Sequence, residues 1–209
     1  MSFRVVNIAG IITTAVALIG IPVAFANYQK NNLRNVRTVA PGILYRSGQL
    51  SHAGLTRVIY DFDIHTVVSL RDNYIEGACP PDAAEADFCK SLGMRHVRIA
   101  PKSWWPEYDG PPPAQKGVAT FLQVMDDPTN YPVLLHCFAG THRTGAMVAV
   151  YRMEYGRWTN SEALAELRDA GYKNLDRELD VLTYLENYRP RWRSSRLIAD
   201  STIAPHPIR

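Results

Sequence analysis

Cysteine is scarce in this chain, with three in 209 residues. None belongs to a C-x-x-C pair, which excludes zinc-finger and thioredoxin-type sites, and three are too few for a disulfide-stapled mini-protein. Charge of one sign is lacking as well. The 23 Lys+Arg against 20 Asp+Glu leave a formal net charge of +3, and no run of five basic residues concentrates it. Nucleic acid is therefore not an expected partner. Compositional bias is also missing: 46% hydrophobic, 21% charged and 10% aromatic excludes a mainly disordered chain and a collagen-like one. The length leaves room for one catalytic-sized domain with appendages, not for two full domains.

A long uncharged run is present. It spans Val5 to Ala26, 22 residues reading VVNIAGIITTAVALIGIPVAFA, and a bilayer-spanning helix needs ~20 mostly apolar residues. Residues 1–26 are thus expected to form a single-pass membrane anchor, or else a cleaved signal peptide of a periplasmic or secreted protein. Arg4 would be the short basic region of such a signal, and Ala24-Phe25-Ala26 its small-x-small cleavage site. Basic residues lie on both flanks, Arg4 before and Lys30, Arg34 and Arg37 after. An uncleaved helix would then favour a cytoplasmic domain and a signal peptide an exported one. Residues 27–38 are polar and read as a linker, 39–190 as the globular domain, and 191–209 as a flexible tail.

Within 39–190, strand and helix signals alternate. Short apolar or β-branched runs at 42–47, 65–70, 96–99 and 133–136 read as strands. Helical spacing marks 52–60, a stretch from Pro81 to Leu92, one from Pro113 to Met125, 143–155, 160–169 and 176–188. Thr159-Asn-Ser-Glu162 is a capping box that opens the fifth of these. Residues 100–113 hold five prolines and a glycine and read as a long ordered loop. The expected fold class is α/β, with a mostly parallel central sheet flanked by helices.

The segment that carries chemistry is HCFAGTHRTG, residues 136–145. An apolar strand leads into Cys137, five residues follow, and Arg143-Thr144-Gly145 runs into an apolar helix. Between a strand end and a helix start, successive amides can turn inward and the helix terminus adds partial positive charge. This is an anion cradle. Cys137 lies at its base, among the amides, helix end and guanidinium that stabilise a thiolate. A thiolate in line with a bound phosphate is a nucleophile for a phosphoenzyme intermediate. Arg143 can grip two phosphoryl oxygens at once, and Thr144 brings a hydroxyl suited to assist sulfur as leaving group. The amides of Phe138, Ala139, Gly140, Thr141 and His142 would line the seat, with His136 orienting the loop.

The same residues resemble the signature of cysteine-dependent protein tyrosine and dual-specificity phosphatases. More closely, the chain is similar to small bacterial dual-specificity-like enzymes and to the plant-and-fungal atypical group. The similarity covers about residues 40–188 and takes in Tyr45-Arg46-Ser47-Gly48-Gln49, Val67-Val68-Ser69-Leu70-Arg71 and Tyr151-Arg152 with Trp158. It implies the cysteine-phosphatase fold and phosphomonoester hydrolysis with neither metal nor cofactor. Cys137 would be the nucleophile and Arg143 the phosphate ligand. Expected substrates are phosphotyrosine proteins, with phosphoserine or phosphothreonine as an extension, or other small phosphomonoesters. The alternatives are an inositol-phosphate or phosphoinositide phosphatase and, more remotely, a non-catalytic phospho-binding module.

A general acid is needed to protonate the leaving oxygen and then activate water. The family places an Asp on a loop roughly thirty residues before the cysteine. Here that loop reads Trp105-Pro106-Glu107-Tyr108-Asp109; Asp109 is its only Asp, while Glu107 stands where a Trp-Pro-Asp motif would put the acid. Asp109 is expected, with Glu107 as the alternative. Trp104-Trp105 reads as loop packing rather than a substrate platform. The atypical group carries Lys-His before Arg-Thr-Gly and acts on inositol pyrophosphates, whereas this chain has Thr141-His142 and so lacks one cationic contact. His142 is open between substrate contact and loop packing. Arg46 and Arg71 are expected to be structural. Cys79 and Cys89 could pair only in an oxidising compartment.

Overall fold

Every residue of Val133-Leu-Leu-His136 is buried because this strand is the middle one of a five-stranded sheet. The computed structural model describes residues 10–11, 13–72, 77–108 and 110–193. Its strands are β1 (Arg37–Ala40), β2 (Leu44–Ser47), β3 (Thr66–Ser69), β4 (Arg95–Arg98) and β5 (Val133–His136), in the order β1-β2-β5-β3-β4. The β2–β5, β5–β3 and β3–β4 pairs are parallel, and only edge strand β1 is antiparallel. The expected α/β architecture with a mostly parallel sheet is what the chain adopts.

Helices cover both faces. They are α1 (Ile21–Asn32), α2 (His52–Phe62), α3 (Ala83–Ser91), α4 (Ala114–Met125), α5 (His142–Glu154), α6 (Asn160–Asp169) and α7 (Leu179–Asn187). Strand alternation divides the core. Val133 and Leu135 of β5 pack with Val68, Phe121, Val148 and Leu185 on one face, whereas Leu134 packs with Tyr45, Val67, Leu55 and Cys89 on the other. Helix α5 is buried along nearly its whole length, from Thr144 to Glu154. That is why its apolar residues show no polar stripe. Thr159 caps α6 with the reciprocal Glu162 bonds expected of a capping box.

The parallel register lines up Ser47, His136, Ser69 and Arg98 at the carboxyl ends of adjacent strands. Open parallel sheets bind ligands in the crevice just beyond such a row. Cys137 is the next residue along β5.

Three expectations are corrected. The membrane anchor over 1–26 is not found: among the described residues no helix is long and apolar enough to cross a membrane. Helical structure there includes a π-helical turn at Val16–Gly20 that runs directly into α1, whose second half is the polar stretch Asn27-Tyr-Gln-Lys-Asn-Asn32. Val16, Leu18, Ile19, Ile21, Val23 and Phe25 are exposed. Residues 1–9 and 12 lie outside the described set. Neither the anchor nor the localisation built on it is retained.

The second correction concerns 27–38, which is no linker. It holds the end of α1 and the start of β1, and an edge strand with one open side needs no apolar run to form. The third concerns the tail: Arg191 binds Asp126 at 2.7 Å and Glu154 at 3.0 Å, so the packed domain continues to that point. Residues 194–209 lie outside the described set. No disulfide joins Cys79 to Cys89. Cys89 is a fully buried thiol on α3, pushed up to about 11 by burial and by Glu85.

Candidate active site

Cys137 leaves β5 with its side chain only 4% exposed, and the next four residues wrap back over it before α5 begins at His142. The Gly140 N–H donates to Cys137 Sγ at 3.2 Å. What holds the loop in this shape is the fate of its carbonyls. Phe138 O accepts from Gln49 N at 3.0 Å, Ala139 O from Asn35 Nδ2 at 2.8 Å, Gly140 O from Arg46 Nη2 at 2.7 Å and Thr141 O from Gly145 N at 2.9 Å. With those oxygens tied to the scaffold, the amides of Phe138, Ala139 and Thr141 have no acceptor among the described residues. Amides in a loop at a helix start are suited to an anion.

Two glycines make the fold-back possible. Gly140 has φ +75°, and a Cβ there would stand 2.4 Å from Gly48 N. No larger residue fits without moving the backbone of β2 or of the loop. Arg46 supports the loop from below. It is buried, and burial first, then the charge of Arg37, holds its guanidinium below the usual arginine value.

His136 stands behind Cys137, 1% exposed, with Nε2 2.7 Å from Glu85 Oε1. Glu85 also meets His96 Nε2 at 3.2 Å and accepts from Gln49 Nε2 at 3.2 Å. Burial alone would raise this carboxyl. The hydrogen bonds from His136 and His96 outweigh it and bring Glu85 down to about 2. Asp82, Glu85 and His96 are the one group among the described residues whose ligand atoms approach as a metal set would, within 4.8 Å. Arg98 already neutralises Asp82 at 2.7 Å, and two histidines face Glu85. Arg98 is a cation already in place in this cluster.

Arg143 is the second residue of α5, and its Nη1 reaches Leu70 O at 3.5 Å. It lines a cleft of about 500 Å³ together with Lys102, Trp104, His142, Tyr172, Glu178 and Asp180. His142 stacks on Tyr172 with ring centroids 4.2 Å apart and faces Glu178 at 3.9 Å, so it both packs and lines the cleft. Thr144 is fully buried and its hydroxyl has no hydrogen-bond partner, the Cys137 sulfur included. Phe138 is exposed and lies under the guanidinium groups of Arg34 at 4.4 Å and Arg71 at 5.2 Å. Arg71 also donates to Gln49 Oε1 at 2.8 Å.

Asp109 lies outside the described residues. Glu107 is exposed, with no side-chain hydrogen bond among the described residues. Trp104 packs edge-on against Tyr184 at 4.8 Å while also facing the cleft. Sequence reasoning missed Asn35 and Glu85, which hold the loop, and Glu178 and Asp180 on the cleft wall. No local pattern marks them. Each arrives from a distant element.

The comparisons agree on one family. A family model described as a DSP-PTPase phosphatase fused to NAD+ kinase matches residues 21–180. Inositol diphosphatase DSP5 of Arabidopsis thaliana is 31% identical over 140 residues, 65% of this chain and 62% of that protein. The dual specificity protein phosphatase TpbA of Pseudomonas aeruginosa is 37% identical over 54 residues, 26% of this chain and 25% of its own length. The chain thus spans less than two thirds of the curated relatives it matches. In fold it is similar to the core catalytic domain of the S. cerevisiae PP-IP phosphatase SIW14, with a TM-score of 0.58 at 21% identity over 83% of this chain and 96% of that one. The crystal structure of P. aeruginosa TpbA gives 0.58 at 22% identity, over 80% and 91%.

Proposed function

The chain belongs to the DSP-PTPase phosphatase family, and from that premise we propose that it hydrolyses phosphomonoesters through a cysteinyl-phosphate on Cys137. In the first step Cys137 Sγ attacks phosphorus in line, the S–P bond forms and the P–O bond to the leaving group breaks. The departing oxygen takes a proton from Asp109 or, as the alternative, Glu107. In the second step that carboxylate removes a proton from water, whose oxygen displaces sulfur and releases inorganic phosphate. Arg143 and the amides of residues 138–142 hold the phosphoryl oxygens in both steps, where charge builds in the transition state. The buried Thr144 hydroxyl is the group assigned to assist the sulfur as it leaves.

The observation that carries this reading is the hydrogen bonding of four consecutive loop carbonyls away from the site, with the amides of Phe138, Ala139 and Thr141 left for an anion above Cys137. The substrate we favour is a phosphotyrosine protein, with phosphoserine or phosphothreonine as an extension. Support comes from the cleft wall, where Glu178 and Asp180 stand opposite Lys102, His142 and Arg143. One phosphate is neutralised there, but a ring bearing several would press its extra charges against two carboxylates. An inositol-phosphate substrate is the second reading, favoured by the match to inositol diphosphatase DSP5.

The test is a panel of phosphotyrosyl peptides, inositol phosphates, inositol diphosphates and phosphoinositides, run on wild type, Cys137→Ser and Arg143→Lys. Cys137→Ser is expected to lose turnover yet bind vanadate, and Arg143→Lys to fail because a point charge cannot replace the planar fork. Turnover by Cys137→Ser within tenfold of wild type defeats the covalent mechanism. A kcat/KM highest for an inositol diphosphate transfers the assignment to the second reading.

A further inference from the structure

Beside the catalytic cleft runs a second one, of about 470 Å³, between the acid loop and α7. Trp104 and Asp180 belong to both walls, so the two clefts adjoin. Four aromatic residues line the second cleft, with Asp180 and Arg189 as its charged members. Trp104 meets Tyr184 edge-on at 4.8 Å, and Tyr184 is followed by Tyr188 with centroids 5.9 Å apart. Trp105, Pro106 and Pro112 form the opposite side. Tyr188 spends its hydroxyl on Glu154 at 2.6 Å, whereas the Tyr184 hydroxyl has no hydrogen-bond partner among the described residues. Asp180, at the junction, forms no ion pair among them.

We propose that this groove binds the polypeptide flank of a phosphorylated protein substrate: a basic residue beside the phosphoresidue meets Asp180, and an extended prolyl or aliphatic stretch lies over Trp104, Tyr184 and Tyr188. The proposal rests on the phosphoprotein reading above. Adjacency to the cleft lined by Arg143 favours a ligand covalently attached to the phosphate over a separate small molecule. Asp180, which shares the cleft lining with Glu178, offers a carboxylate to a cation at the crossing point. A row of aromatic rings with one hydroxyl left over, that of Tyr184, is the surface on which extended, proline-containing segments dock, because such segments lose little entropy on binding. An inositol ring has no flank with which to use it.

The test compares an Arg-Pro-flanked phosphotyrosyl peptide with its Ala-flanked counterpart and with phenyl phosphate. Thr183→Trp fills the groove from an exposed helix position, and Asp180→Lys reverses the charge at the junction. In wild type the Arg-Pro peptide is expected to exceed its Ala-flanked counterpart at least tenfold in kcat/KM, through KM. Thr183→Trp removes that advantage while phenyl phosphate hydrolysis stays within twofold. Asp180→Lys transfers the preference to a Glu-flanked peptide. The same ranking is expected in binding, measured by fluorescence anisotropy on Cys137→Ser, so a failure of turnover does not hide the groove. If wild type hydrolyses phenyl phosphate but treats all flanks alike within threefold, the groove assignment falls and the phosphatase reading stands. If no phosphate is hydrolysed and the anisotropy ranking is also flat, both fall.

Discussion

Arg46, buried on β2, donates from Nη2 to the Gly140 carbonyl at 2.7 Å across 94 residues of sequence. It is the deepest of the contacts that turn the loop carbonyls outward, and its place in a parallel strand beside β5 lets it reach them. A lysine could stretch as far but would present one donor group without the fork.

Arg46→Lys is therefore expected to lower both stability and turnover. Leaving a buried carbonyl unpaired costs ~1–3 kcal/mol. A Tm several degrees lower and a kcat for aryl phosphates at least tenfold lower are expected. Unchanged kcat at lowered Tm would mean Arg46 serves the sheet alone.

Gly140→Ala tests the loop geometry directly. Its Cβ would stand 2.4 Å from the backbone nitrogen of Gly48 at φ +75°, and Gly140 N is the amide already donating to the sulfur. Misplacement by an ångström costs about 10²-fold in rate. The variant should stay folded by circular dichroism, lose vanadate binding and fall at least a hundredfold in kcat/KM.

Glu85 sets a pH dependence of stability. Its folded value lies near 2 against an ordinary 4.5, so the unfolded chain binds the proton more readily. The stabilisation is complete above about 4.5 and is lost as pH falls toward 2. Urea unfolding at pH 7, 4 and 3 should show wild type weakening across that window. Glu85→Gln should be weaker at neutral pH and lose most of the slope. An equal slope in both proteins would assign acid unfolding to other carboxylates.

The general acid is distinguished by leaving group. Asp109→Asn should cut turnover most for alkyl phosphates and least for aryl phosphates with acidic phenols, with a gap exceeding tenfold, since general acid catalysis is worth ~10²–10⁴-fold. The alkaline limb of the pH–rate profile should flatten. If Glu107→Gln shows this pattern instead, the roles are exchanged. If neither does, the proton comes from another residue of the cleft, with His142 first to be examined.

The sequence by itself determined what is local and periodic. Val133-Leu-Leu-His136 is a buried strand in the structure as in the pattern, and Asn160–Asp169 begins at its capping box, because alternation and caps are properties of neighbouring residues. HCFAGTHRTG was likewise legible, since a strand, loop and helix start in ten residues carry their own geometry. The uncharged run misled: crossing a bilayer needs a helix both long and apolar enough, and none stands among the described residues. Only the tertiary structure decided which donors tie the loop. Asn35, Arg46, Gln49 and, through His136, Glu85 come from elements as far as 104 residues away. It also set Glu178 and Asp180 against the cationic side of the cleft and lined the adjoining groove with Trp104, Tyr184 and Tyr188. Such juxtapositions depend on how helices lie across the sheet, and no spacing along the chain encodes that.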